Sequence, residues 1–295
     1  MARNGSPRRR SHFGAETVSK GFSPEWLHLR EQADTRARNS EIAESVSAHF
    51  ALRDQVTIVD LGCGTGSNLR ATAQLLPSRQ TWTLADHDLD LIANAKTELR
   101  RWADRSDDNG ECLRLHKGHA LIDVTFTMCD LAQDLANVLG DAPNLITASA
   151  FFDLVSTDFI RRIVKAAAER NAALYALLTY NGRQKWTPHR PTDNQMIAAF
   201  HRHQMRDKGF GPAAGPLAAA ELADQLKMSG YTVLEGESPW ILDRNDRMLI
   251  DELVRGHAMA VSETGTVDLK TIETWVKVQR TGAVVGHTDI FAVPS

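Results

Sequence analysis

The sequence predicts an α/β protein built on a doubly wound, mostly parallel sheet. Three observations carry that prediction. An apolar, β-branched run from Val56 to Val59 ends in Asp60-Leu61-Gly62-Cys63-Gly64-Thr65-Gly66-Ser67-Asn68-Leu69. Three glycines at alternate positions between such a run and a helix-suited stretch read as strand, tight turn, helix. Beyond the turn, strand-like and helix-like stretches alternate to the end of the chain, as βαβ units require. Finally, the second strand-like run closes on an acid, Asp86, about 20 residues past the glycines.

The chain as a whole sets the limits. Its 295 residues can bury a substantial core, and 42% hydrophobic with 24% charged residues is a soluble globular composition. A formal charge of -3 and a pI near 6.4 do not describe a general polyanion binder. No apolar run approaches the roughly 20 residues a membrane helix needs, so no membrane partner is expected. Cys63, Cys112 and Cys129 are odd in number and form no CxxC pair. They read as reduced thiols of a cytoplasmic protein, with no metal site.

In order, residues 1–22 carry Arg8-Arg9-Arg10 with no apolar stretch behind them. The expectation is a disordered, solvated basic tail, with residues 23–295 forming one domain. Ser23-Pro24-Glu25 is a helix start, and Ile42, Val46 and Phe50 mark the apolar face of a second helical stretch. After the glycine turn a helix runs from Leu69 to Leu76 and stops at Pro77. Thr81-Trp82-Thr83-Leu84-Ala85 alternates as a strand, and Asp88 suits the cap of a helix whose face is Ile92, Ala95, Leu99 and Trp102. Arg105 to Gly110 reads as a polar turn. Leu113–His116 and Val124–Met128 read as strands with Lys117-Gly118 between them. Asn144–Ser149 is the fourth main strand, and Ala172–Leu178 the fifth. Residues 182–216 break the rhythm as a polar, aromatic insertion, expected to be a substrate lid around a short helix. A sixth strand at Tyr231–Glu235, two further helices and a last strand at His287–Val293 complete the chain.

With Asp-Leu before it and Cys-Gly-Thr-Gly inside it, the glycine turn closely resembles the first motif of class I S-adenosylmethionine-dependent methyltransferases, of the bacterial small-molecule type. The third glycine of a G-x-G-x-x-G dinucleotide turn is replaced here by Ser67. The resemblance covers residues 25–180 by motif, and the remainder only by topology. It implies a seven-stranded Rossmann-like sheet, with the last strand antiparallel beside the fifth, an N-terminal helical segment over the cofactor, and an insertion after strand 5. The implied cofactor is S-adenosylmethionine. The resemblance places Asp60, Gly62, Gly64 and Gly66 at the turn and Asp86 on the ribose hydroxyls, with His87 counted in the same site. Asp130 takes the adenine amino group and Leu131 the ring face, while Ser149 lies toward the sulfonium methyl. Among Arg30, Arg36 and Arg38, each able to clamp the methionine carboxylate, Arg38 is taken as the candidate; a solvated arginine face is the plain alternative.

The acceptor half is less marked. An Asn/Asp-Pro-Pro-aromatic signature is absent after the fourth strand, where Ala148-Ser149-Ala150-Phe151 stands. That weakens a nucleic-acid acceptor and favours an oxygen or nitrogen of a small molecule. His201, His203 and Asp207 of the insertion are the candidate general bases. A nucleic-acid methyltransferase, a nicotinamide-dependent oxidoreductase and a cofactor binder without catalysis are the competing readings, and a homodimer is left open.

Overall fold

The computed structural model describes residues 22–295; the basic tail apart from Phe22 lies outside the described residues. Two helices lead. Ser23 caps α1 (Pro24–Ala37) by accepting from the Trp26 amide at 3.2 Å, and Asn39 caps α2 (Ser40–Phe50). The first strand, β1 (Gln55–Leu61), ends in the glycine turn, followed by the short α3 (Ser67–Thr72). Then come β2 (Arg79–Asp86) and α4 (Leu89–Trp102). Asp88 does cap α4, accepting from the Asp90 and Leu91 amides at 2.8 and 3.3 Å.

Three strands follow, β3 (Arg105–Asp108), β4 (Leu113–Lys117) and β5 (Ala120–Met128), then α5 (Leu131–Leu139). Next are β6 (Leu145–Ser149), α6 (Thr157–Glu169) and the 15-residue β7 (Ala173–Thr187). Helices α7 (Asp193–Gln204) and α8 (Ala218–Met228) precede β8 (Tyr231–Glu237) and β9 (Trp240–Leu242). The chain closes with α9 (Arg247–Thr264), α10 (Leu269–Val276) and β10 (Gly282–Pro294).

One sheet orders the strands β3-β4-β5-β2-β1-β6-β7-β10-β8, with β9 on the starting half of β10. The run β5-β2-β1-β6-β7 is parallel, and β10 lies antiparallel between β7 and β8. Ten strands stand where the resemblance implies seven. The additions are the hairpin β3–β4 at one edge and β9. Arg105–Asp108 has no apolar pattern of its own; it is a strand because its backbone pairs with β4. Such pairing is invisible to a reading of side-chain periodicity.

Both faces of the sheet are packed. On one, Ile163 and Val164 of α6 and Leu222 and Leu226 of α8 lie with Ile146 and Leu174. On the other, Val46 and Phe50 of α2 and Leu99 of α4 lie with Ile58 and Trp82. Each such aliphatic or aromatic side chain contributes about 1.5–3 kcal/mol on burial, so the four-residue spacing of Ile42, Val46 and Phe50 is what holds α2 on the sheet.

The expected end of the fifth strand is corrected. The fifth strand does not end at Thr179: β7 continues to Thr187, because Gln184, Lys185, Trp186 and Thr187 pair with Val285, Val284, Ala283 and Gly282. The partner strand lies about a hundred residues on in the chain, beyond any local pattern. The helix expected within the segment is α7, 12 residues long, which packs Met196 and Ala199 with Val254 and Val261 of α9 and Trp275 of α10. This third core rises beyond the carboxyl ends of the parallel strands. Asp193 anchors it, accepting from the Trp275 indole at 2.7 Å and from Arg280 Nη2 at 2.6 Å. Arg280 and Asp193 are both buried, and the pair holds because both Nη groups of Arg280 and both oxygens of Asp193 are hydrogen-bonded.

Candidate active site

The site is laid out by the carboxyl ends of β1, β2, β6 and β7, where an open α/β sheet takes its ligands. Gly62, Gly64 and Gly66 have φ of 66°, 54° and 73°, the left-handed region that costs other residues roughly 1–2 kcal/mol each. Space is equally tight. A Cβ on Gly62 would fall 2.8 Å from the Phe151 ring, and one on Gly64 3.1 Å from Leu27 of α1. The turn thus lies directly beneath α1 and the loop leaving β6.

Two carboxylates face this turn. Asp86 Oδ2 accepts from the Gly64 amide at 2.9 Å and Oδ1 from the Asp88 amide at 3.1 Å. His87 Nδ1 lies 3.3 Å from Oδ1 on an exposed ring. Asp60 is wholly buried; Oδ1 accepts from Asn68 Nδ2 at 2.8 Å, and Oδ2 has no partner. Burial pushes its carboxyl up to about 7, with the Asn68 hydrogen bond and the Arg38 charge opposing.

Arg38 supports Asp60 from behind. Its Nη1 donates to Thr72 at 3.0 Å and its Nη2 to Asn68 Oδ1 at 2.9 Å. Asn68 in turn reaches Thr147 at 3.0 Å, and Thr147 the Tyr175 carbonyl at 2.9 Å. Both Nη groups of Arg38 are bonded within this network, and its buried Nε has no partner. Arg30 is the arginine turned toward the site. It forks onto Asp34 through Nε and Nη2 at 2.9 and 3.1 Å, with its guanidinium 4.9 Å over the Trp240 ring.

Asp130 caps α5 through the Ala132 amide at 2.9 Å and accepts from Gln133 Nε2 at 2.9 Å, while Leu131 is buried in the core beneath it. Ser149 ends β6, half-buried. Ala150 follows at φ 52°, a strained turn for a residue with a side chain, and throws Phe151 back over Gly62. Phe210, from the loop after α7, packs on Phe151 with ring centroids 5.9 Å apart.

The three candidate bases part company. His201 Nε2 lies 2.9 Å from the Tyr180 hydroxyl. Burial holds His201 below the usual histidine range, so it is neutral at pH 7, and burial likewise raises the Tyr180 phenol, which keeps its proton. His203, two residues on, is turned away by the helix and pairs with Glu263 of α9 at 2.9 Å. Asp207 is exposed and accepts from the Gly209 and Gly211 amides at 2.8 and 3.0 Å, tying its own loop. Neither His203 nor Asp207 is brought to Tyr180 or to the glycine turn.

Asp153 was not among the residues singled out by sequence. It sits one turn past Phe151, 7% exposed, with Oδ1 lacking a partner. Burial raises its carboxyl to about 6, while its own amide, the Arg30 charge, the Tyr180 amide and the Lys208 charge pull the other way. The available signal was an acid directly after paired aromatics at a strand's carboxyl end. Among the described residues no group of three or more His, Cys, Asp or Glu side chains is arranged to hold a metal ion, and no helix is long and apolar enough to cross a membrane.

No protein-family model matches the chain, and no curated protein matches it. Solved structures do. A candidate methyltransferase of Bacillus halodurans C-125 is 12% identical, with 87% of this chain and 100% of that chain covered at a TM-score of 0.51. The magnesium protoporphyrin IX methyltransferase of Synechocystis PCC 6803, solved with S-adenosylmethionine, is 13% identical over 94% of this chain and 87% of that one, at 0.42. A Geobacter sulfurreducens S-adenosylmethionine-dependent methyltransferase with S-adenosylhomocysteine is 15% identical, covering 92% and 99%, at 0.43. The first of these is a likeness of fold. By strand order and by that likeness, the chain has the mixed, Rossmann-like α/β fold of a class I methyltransferase.

Proposed function

We propose that the protein is an S-adenosylmethionine-dependent methyltransferase acting on an oxygen or nitrogen of a small-molecule acceptor. The observation that carries this reading is the left-handed glycine turn flanked by two buried carboxylates, Asp60 and Asp86. The residues fit the cofactor: Asp60 keeps an unpaired buried oxygen for a cationic amine, and Asp86 is held at the turn by backbone amides. Asp86 would take the ribose hydroxyls and Asp60 the methionine ammonium. Asp130, at the start of α5, and half-buried Ser149 complete the proposed lining. When bound, the cofactor supplies a methyl group on a sulfonium centre.

The chain's own share is position, exclusion of water and proton removal. Leu27 and Phe151 close over the turn, and α1 covers it with Arg30 on its inner face. Tyr180 and His201 form a neutral pair that can receive the acceptor's proton, the phenol passing it to Nε2. A formal charge of -3 favours a small acceptor over a nucleic acid.

Calorimetric titration with S-adenosylhomocysteine, with NAD as control, tests the reading. Saturable binding of the first and none of the second is expected. Absence of binding, or preference for NAD, would overturn it.

A further inference from the structure

Buried polar atoms without partners gather around Tyr180 and Arg30. They are Asp153 Oδ1, Gln184 Oε1, His287 Nδ1 and Trp26 Nε1. The Tyr180 amide faces the Asp153 carboxylate, and its phenol faces the Gln184 side chain. Its ring lies 6.2 Å from that of His287. The Arg30 charge acts on both Asp153 and His287, and Trp26 is one turn before Arg30 on α1.

An unpartnered buried polar atom is costly, and a cluster of them in one place marks a group that a ligand completes. The inventory says what kind. Asp153 and Gln184 offer oxygens that only accept, so the group that meets them must donate, while the Trp26 indole offers a hydrogen to an acceptor elsewhere on the same ligand. Asp153 is also a carboxylate more than nine-tenths buried. Arg30 and Lys208 both act on it by charge, yet neither donates a hydrogen bond to Oδ1, and Arg30 forks onto Asp34 through Nε and Nη2. A buried carboxylate with one oxygen left without a hydrogen-bond partner selects a cationic donor.

We propose that the methyl acceptor is an amine of a small molecule, and that Asp153 is the residue that recognises its nitrogen. This deepens the function proposed above and rests on it. The ammonium docks on Asp153 Oδ1 and gives one proton through the Tyr180 hydroxyl to His201 Nε2. The freed nitrogen lone pair forms the new N–C bond as the methyl–sulfur bond breaks, its electron pair remaining on sulfur. The product leaves as a methylammonium ion, and His201 returns its proton to solvent. Charge and atoms balance without a further reactant.

The test uses the full chain, methyl-labelled S-adenosylmethionine and a small-molecule cell extract. Half of the extract is first acetylated at its amines with N-hydroxysuccinimidyl acetate. Label should enter the untreated extract, be lost after acetylation, and resist alkaline hydrolysis as a methylamine does. Asp153→Asn should lower incorporation at least tenfold while S-adenosylhomocysteine titration and melting temperature stay as in the wild type. Incorporation that survives acetylation, label released by alkali as a methyl ester releases it, or an Asp153→Asn variant of full activity would each overturn the proposal. So would cofactor binding with no label entering either extract. Failure to bind S-adenosylhomocysteine would instead bring down the methyltransferase reading itself.

Discussion

The Tyr180 hydroxyl lies 2.9 Å from Nε2 of His201, joining the extended fifth parallel strand to the helix that follows it. His203, on the same helix, is instead committed to Glu263. His201→Ala is therefore expected to reduce methyl transfer by about a hundredfold, the usual contribution of a positioned base, with cofactor affinity unchanged. His203→Ala should remain within about twofold of the wild type, because an exposed side-chain hydrogen bond to Glu263 contributes little. Single-turnover assays of both variants on one labelled acceptor make the comparison, and equal losses would show that α7 acts only as scaffold.

Asp86 holds the Gly64 and Asp88 amides in the described structure and is assigned the ribose in the proposed complex. Removing hydrogen bonds to a charged acceptor costs about 1.5–3 kcal/mol. Asp86→Ala should accordingly weaken S-adenosylhomocysteine binding by about 10- to 150-fold, measured by calorimetry. Unchanged affinity would move the ribose contact elsewhere.

Asp289 is the joint between the two halves of β10. Its Oδ1 accepts from the Leu178 amide at 2.7 Å and the Ser238 hydroxyl at 2.6 Å, and Oδ2 from the Asn39 amide at 2.9 Å. Leu178 stands at φ 51°, beside a register shift between Thr288 and Ile290. Truncation leaves three donors without their acceptor. Asp289→Ala should lose about 3 kcal/mol or more of stability in urea unfolding, and a loss under about 1 kcal/mol would show that the strain at Leu178 is held by packing alone.

His257 is stacked on Phe200, with centroids 4.3 Å apart, and beside Trp275. Burial lowers it to about 3, against 6.5 for a free histidine. Between those values the unfolded chain binds a proton that the native state refuses. Its contribution is thus complete above pH 6.5 and is lost as pH falls toward 3, by about 1.4 kcal/mol per pH unit. His257→Phe keeps the stack and removes the titration. From pH 7.5 to 5 it should gain about 2 kcal/mol on the wild type. Asp60 and Asp153, raised to about 7 and about 6, bind protons in the native state and oppose the acid loss. They are common to both proteins and cancel in the difference. A constant gap across that range would place the proton elsewhere.

The sequence by itself determined the frame. The apolar run into Gly62, Gly64 and Gly66 reads as a turn because glycine takes left-handed backbone angles without strain, and Asp88 reads as a cap because a short polar side chain satisfies free helix amides. Periods of two and of four residues show which side of a strand or helix is buried, which is enough to place the main elements along the chain. What periodicity does not contain is the identity of a partner. The second half of β7 exists because β10 pairs with it, and that pairing brings Tyr180 opposite His287. Local pattern treated His201, His203 and Asp207 alike; the helix turn sent the first two to different neighbours. Sequence took Arg38 ahead of Arg30; the fold binds the first to Asn68 and Thr72 and the second to Asp34, over the Trp240 ring. Asp153 carried no spacing of its own. Its burial, and the unpaired oxygen that follows from it, depend on α1, β7 and the loop after β6 closing around a single point, which only long-range packing decides.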